Sequence, residues 1–211
     1  MCRASLARQA WSMHPDAASS QLSRPSRPSE LIDAGPVLLR RWHSADLDAS
    51  CQAVLSSLEH LRPWMPWAVD FSRTGQAEFL AGSERDWESG TAFNYAMLVD
   101  GEVAGSTGLM ARIGPGGLEI GYWVREAYTR QGLATAAAAA LVTQAFALPG
   151  VDHVQIVHDE LNEPSSGVPR KLGFTEIEHR PLDHKPLGGT GMGVVWEITR
   201  EQWQDGAAPA R

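Results

Sequence analysis

The stretch that most constrains the fold of this chain is Tyr128-Thr129-Arg130-Gln131-Gly132-Leu133-Ala134-Thr135, which runs without a break into the alanines Ala136 to Ala140. Upstream of it, Leu118-Glu119-Ile120-Gly121-Tyr122-Trp123-Val124 is dense in β-forming residues, so the order is strand, basic glycine turn, alanine-rich helix. A helix leaves its first backbone N–H groups without intrahelical partners, beside the positive end of its dipole. Gly132 carries no side chain and Ala134 only a methyl. A bulky polyphosphate can therefore reach those N–H groups, with Arg130 and the Thr135 hydroxyl placed to assist. The turn predicts an anion socket. The usual nucleotide loops do not account for it, because no Gly-Lys-Ser/Thr follows the turn and it holds no Gly-x-Gly-x-x-Gly.

A second signal lies downstream, Asn162-x-x-Ser165-x-x-Val168-x-x-Lys171-x-Gly173-Phe174. With both stretches in view, the chain resembles the GNAT superfamily of acyl-CoA-dependent N-acyltransferases. The superfamily's central motif is Gln/Arg-x-x-Gly-x-Gly/Ala, and Thr129-Arg130-Gln131-Gly132-Leu133-Ala134 matches it except at Thr129. Backbone N–H groups make most of such a socket, so Thr129 is compatible with binding. Leu61-Arg62-Pro63-Trp64-Met65-Pro66-Trp67 and the Glu119-Ile120-Gly121-Tyr122-Trp123 strand are similar to the RimJ/RimL-like branch, the ribosomal-protein N-terminal acetyltransferases. The implied fold class is α+β: a mixed, mostly antiparallel central sheet of about seven strands flanked by helices, with a splayed parallel strand pair forming the CoA cleft.

Periodicity places the remaining elements. Pro36 to Trp42 reads as a strand, Ser44 as the cap of a helix reaching Leu58, and Thr74 to Trp87 as a second helix. Thr91 to Val99 alternates, Asp100-Gly101 turns, and Val103 to Met110 returns as the second arm of a hairpin. Strands follow at 118 to 124 and 153 to 159, separated by the alanine-rich helix to Ala147; then come a helix from 164 to 172 and strands near 174 to 180 and 191 to 199. The stretch from Met13 to Glu30 carries Ser, Pro, Ala and Arg without apolar periodicity. The expected organisation is a flexible leader over residues 1–30, one acyltransferase domain over 31–204, and a frayed tail over 205–211.

At 211 residues, 43% hydrophobic and 20% charged, the chain can bury one sizeable core. A net charge of -7 argues against a general nucleic-acid or membrane-surface binder and suits a cationic amine substrate. Cys2 and Cys51 make neither a disulfide framework nor a metal-ligand spacing, and the histidines show no ligand pattern. A cytoplasmic enzyme without a metal is expected. No apolar run has the length of a membrane span, and a homodimer is the expected assembly because symmetric dimers are the commonest.

The resemblance implies a site. Strands 118 to 124 and 153 to 159 would run parallel and part, with the pantetheine arm of acetyl-CoA lying between them like an added strand, paired to backbone groups of Trp123 and Val124. Arg130, Gln131, Gly132, Leu133, Ala134 and Thr135 would hold the pyrophosphate. Asn162 would bond the pantetheine, or else simply turn the chain at the strand exit. The implied chemistry is direct transfer: an amine attacks the thioester carbonyl and the departing CoA thiolate takes a proton, with no covalent enzyme intermediate. Glu119, on the strand lining the cleft, is the candidate base, acting through a water; the alternative is an exposed polar residue opposite Leu118, Ile120 and Tyr122. Ser165 is the candidate acid, or alternatively a helix N-terminal cap. Many relatives carry a tyrosine acid seven residues beyond the asparagine position, where this chain has Pro169. Trp64 and Trp67 either wall the acceptor site or plug the core beneath their loop. His158 and Asp159 point to opposite faces and read as structural, His158 with a place at the cleft.

Three functions fit these residues. The first is acetylation of a protein N-terminal α-amine, and the second is acetylation of a small amine such as an antibiotic, a polyamine or an amino acid derivative. The third is an acyl-CoA-binding module without turnover. A broad groove would favour a peptide acceptor, and a closed pocket lined by Trp64, Trp67 and acidic side chains would favour a small cation.

Overall fold

The computed structural model describes residues 26–206. Eight strands form one sheet in the order β1-β2-β3-β4-β5-β6-β8-β7: β1 (Leu31–Asp33), β2 (Leu38–Arg41), β3 (Ala92–Val99), β4 (Glu102–Met110), β5 (Gly117–Val124), β6 (His153–Asp159), β7 (Thr175–Pro181) and β8 (Met192–Thr199). Every neighbouring pair is antiparallel except β5 and β6. A parallel pair needs a crossover connection, and the alanine-rich helix supplies it.

The helices are α1 (Leu47–Leu55), α2 (Leu58–Leu61), α3 (Arg73–Ser89), α4 (Leu133–Ala147), α5 (Glu163–Lys171) and α6 (Arg200–Gly206). One face of the sheet packs against α1 and α3 through Trp42, Ala53, Leu80, Ala96 and Val103. The other takes α4: Ala137, Ala138, Leu141 and Val142 are fully buried in the cluster that holds Leu118 and Ile120. The alanine run lets α4 lie close to the strands, since its methyls need little depth. Asp100 and Gly101, with φ of 50° and 83°, make the tight hairpin turn between β3 and β4.

Several boundaries differ from the sequence reading. The helix expected from Ser44 to Leu58 is broken. A 3₁₀ turn at Ser44–Asp46 precedes α1, and α2 is separate. Ser44 does not cap; its N–H donates to Glu84, and the N-cap position is His43. The break at Ser56 and Ser57 is a docking point, where the Ser57 hydroxyl accepts from the Glu126 N–H and Ser56 from Arg125 Nε. Strand β1 and helix α6 carry too few residues to show a period, and α6 takes in residues 205 and 206 of the expected tail. At the other end, Arg27 donates to Glu88, the Ser29 N–H to Gln144, and the Tyr95 hydroxyl to the Ser29 carbonyl, so residues 27–29 are tied to the domain. The leader's residues 1–25 and the tail's 207–211 lie outside the described residues. No helix among the described residues is long and apolar enough to cross a membrane.

Candidate active site

Register builds the site. β5 pairs with β6 from Gly117↔His153 only as far as Ile120↔Ile156, although both strands continue to Val124 and Asp159. Beyond that point β5 stays with β4, and β6 with β8. The parallel pair therefore opens in its C-terminal half and exposes backbone edges. The Arg125 N–H donates to the Ala104 carbonyl on β4. Peptide planarity then turns the Val124 carbonyl the opposite way, toward the opening. By alternation, the backbone of Trp123 faces β4 and that of Tyr122 faces the gap. Of the two residues expected to pair with pantetheine, Val124 turns its backbone to the gap, whereas Trp123 turns its backbone to β4.

Past the open end of the pair, the chain turns from β5 into α4. Arg130 and Gly132 both lie in the left-handed region, at φ of 60° and 79°, and bend the backbone into a concave nest of N–H groups. Gly132 is the N-cap of α4, and a Cβ built on it would stand in open space. Among the described residues, no acceptor is found for the N–H groups of Gln131, Leu133, Ala134 and Thr135. The Gln131 side chain turns back to donate to the Ala127 carbonyl, and Thr129 Oγ1 donates to the Glu126 carbonyl. The turn thus presents backbone N–H groups without acceptors among the described residues, and Arg130 beside them is exposed.

The opening continues into a cleft of about 1320 Å³ across the sheet face that carries Trp42 and Ser106. Glu119 lines it and is 7% exposed, while its neighbours Leu118 and Ile120 belong to the core on the other face. It is not the exposed polar residue of the alternative reading. The Arg112 guanidinium donates to Glu119, and that bond raises the Arg112 pKa above its ordinary value. Trp67 is 43% exposed, stands 6.0 Å from Trp123 at 56°, and lines the cleft together with Trp64. Both tryptophans belong to the wall and not to a plugged core.

On the helix side, Asn162 is the N-cap of α5 through its backbone: its carbonyl accepts from the Ser165 and Ser166 N–H groups. Its side chain makes no capping bond and borders the cleft. Ser165 does not cap either. Its Oγ lies 3.0 Å from the Tyr122 hydroxyl, whose one proton is within reach of that oxygen and of the Ser165 carbonyl at 3.1 Å. Burial pushes the Tyr122 phenol up to about 12, its bond with Ser165 offsetting part of that rise.

His158 and Asp159 are structural. Trp196 Nε1 donates to His158 Nε2, so Nδ1 carries the proton and donates to the Asp159 carbonyl; the imidazole is neutral with both nitrogens used. The Asp159 carboxylate accepts from the N–H groups of Leu161, Thr190 and Gly191. It thereby holds the β7–β8 loop, whose Leu182, Asp183, His184 and Pro186 form the far wall of the cleft. That loop closes on the Pro-Trp segment through Gly188, whose N–H donates to the Pro63 carbonyl. A Cβ on Gly188 would meet Pro63 at 2.8 Å, and one on Gly189 would meet Asp159 at 2.3 Å. Sequence reasoning missed this wall, Arg112 and Tyr122. The Gly188-Gly189 pair was the signal for a close approach. Among the described residues no group of three His, Cys, Asp or Glu side chains could hold a metal ion.

A parallel strand pair that opens beside a helix whose N-cap is a left-handed glycine offers free strand edges next to an anion-binding helix end. Residues 37–175, more than half of the chain, match the family described as the acetyltransferase (GNAT) domain, and the chain belongs to that family. YdaF of Bacillus subtilis (strain 168), named as a candidate ribosomal N-acetyltransferase, is 24% identical over 173 residues, which is 80% of this chain and 93% of that protein. RimJ of Mycobacterium smegmatis, solved with CoA-disulfide, is 26% identical with a TM-score of 0.71, over 83% of this chain and 87% of that one. RimL, a ribosomal L7/L12 α-N-protein acetyltransferase solved with CoA, shares the fold at a TM-score of 0.75 and 22% identity, over 82% and 99%. The chain is an acyl-CoA-dependent acetyltransferase with acetyl-CoA as cosubstrate.

Proposed function

We propose that this enzyme transfers the acetyl group of acetyl-CoA directly to the N-terminal α-amine of a protein. The observation that carries the reading is the likeness to relatives named for the acetylation of ribosomal proteins. The cleft of about 1320 Å³, which takes in Asn162 and Ser165 at the acyl-CoA end as well as Trp64 and Trp67, leaves room for a chain terminus beside the thioester.

Acetyl-CoA supplies an activated thioester carbonyl. The Arg130–Thr135 backbone and the Arg130 guanidinium bind its pyrophosphate at the N-terminus of α4. The Val124 carbonyl and the Tyr122 N–H pair with the pantetheine amides as a neighbouring strand would, and the Asn162 amide bonds the arm where it leaves the gap. This holds the thioester between β5 and α5, so Glu119 and Ser165 flank it from opposite faces of the sheet. Trp64 and Trp67 cover the incoming peptide terminus. Glu119, with an intervening water, takes the ammonium proton, and the Ser165 hydroxyl donates a hydrogen bond to the departing sulfur.

The test is acetylation of peptides with free N-terminal serine, alanine or methionine, run beside spermine and an aminoglycoside. Mass spectrometry locates the acetyl group. Acetyl on the peptide α-amine, with little CoA release from the small amines, supports the proposal. Turnover restricted to the small cations assigns the acceptor to that class instead, with Asp70 and Asp183 in the cleft lining as the charges that would attract them.

A further inference from the structure

We propose that the Tyr122 phenol positions the Ser165 hydroxyl on the sulfur that leaves acetyl-CoA, the two side chains acting as one hydrogen-bonded pair. This rests on the placing of Ser165 at the thioester in the proposed function. Tyr122 comes from β5 and Ser165 from the first turn of α5, and their contact spans the region where β5 and β6 have parted.

Three observations carry the pairing. The phenol stands within hydrogen-bond reach of Ser165 at two atoms, Oγ at 3.0 Å and the carbonyl oxygen at 3.1 Å, which places it against both the side chain and the turn that bears it. Among the described residues Ser165 Oγ has no other partner, whereas the hydroxyl of the adjacent Ser166 donates to the Glu163 carbonyl. A serine in a helix ordinarily bonds back to the backbone in that manner; Ser165 is drawn instead toward the cleft. Both residues border the cleft that Glu119 lines from the other face.

The chemistry follows from the acidities. Burial holds the phenol near 12, so it keeps its proton while a thiolate of pKa about 8.5, by analogy with cysteine, forms beside it. With the phenol proton on Ser165 Oγ, the serine keeps its own proton for a hydrogen bond to the sulfur, and neither group hands its proton over. In the transfer step the N–C bond forms as the C–S bond breaks, and the C–S electron pair goes to sulfur. The ammonium proton leaves through water toward Glu119, and the released thiolate is protonated by solvent.

The test needs CoA alone and no acceptor. The ultraviolet absorbance of the thiolate of enzyme-bound CoA is followed against pH in the wild type, Tyr122→Phe, Ser165→Ala and the double variant. A hydrogen bond donated to the thiolate favours the charged form and lowers the thiol pKa, so the wild-type value should lie below that of free CoA. Tyr122→Phe should raise it by about one unit, tenfold in the ionisation constant. Ser165→Ala should raise it at least as far, and the double variant no further than Ser165→Ala. On any acceptor that the wild type acetylates, kcat of Tyr122→Phe falls about tenfold with CoA affinity unchanged. A bound-thiol pKa that neither single substitution moves overturns the proposal, as does a Tyr122 effect undiminished in the Ser165→Ala background. Failure to acetylate a peptide would overturn the acceptor reading while leaving this measurement intact.

Discussion

The two halves of the proposed site are made of different material. The half proposed for acyl-CoA is largely backbone, the N–H groups around Gly132 and the strand edge at Tyr122 and Val124, with side chains from Arg130, Asn162 and Ser165 added to it. The half proposed for the acceptor is side chains: Trp64 and Trp67 from a loop, Glu119 and Arg112 from the β4–β5 hairpin, and the β7–β8 loop held down by Asp159. A backbone site asks of its sequence only small residues in a fixed order, and it occupies one contiguous stretch. A side-chain site gathered from separated segments can vary at each contact, which is how one fold serves many acceptors.

Substitutions on the acceptor half should change turnover or acceptor affinity and leave CoA binding alone. The largest effect is expected for Glu119→Gln, which removes the proposed base. Its kcat should fall by about 10²–10³ while calorimetry finds wild-type CoA affinity; a variant that loses CoA affinity instead would break the division. Next comes Asp159→Ala. Three backbone N–H groups lose their acceptor, so stability should drop by about 3 kcal/mol, read as a lower Tm. The acceptor KM should rise because the β7–β8 loop is released. Trp67→Ala should have the smallest effect on a single parameter: its side chain is 43% exposed, so Tm should move little, and KM for a peptide should rise about threefold.

A further prediction concerns the tyrosines that seal the sheet. Burial raises the Tyr122 phenol from 10.0 to about 12, and raises that of Tyr95 as well. Each folded-state pKa exceeds its unfolded value, so the folded state holds these protons more tightly. Their contribution to stability is complete below pH 10 and declines as pH climbs toward 12. Tyr122→Phe should flatten that alkaline limb in a pH series of thermal melts.

How much of this could be read from the chain follows the same division. The strand, the Gly132 turn and the alanine-rich helix after it were legible, because glycine turns and helix N-termini are local features. The hairpin at Asp100-Gly101 was legible for the same reason. The helix expected from Ser44 to Leu58 was not, since its break at Ser56-Ser57 serves contacts with Arg125 and Glu126, far away in sequence. That the Trp123 backbone faces β4 and the Tyr122 backbone the gap depends on the register with β4, which no local pattern reports. The Arg112–Glu119 pair likewise needs the hairpin register before the two residues meet.

The most direct test of the backbone socket is calorimetric titration of acetyl-CoA into the wild type and Gly132→Trp. The substitution strains a left-handed position, at a cost of about 1–2 kcal/mol, yet its Cβ meets nothing within 4 Å, so the variant should remain folded. The wild type should bind with roughly micromolar Kd and the variant at least about a hundredfold more weakly, its indole standing where the pyrophosphate would lie. A folded Gly132→Trp that binds acetyl-CoA as tightly as the wild type would contradict the account, and the glycine turn would be no more than a strand-to-helix connection.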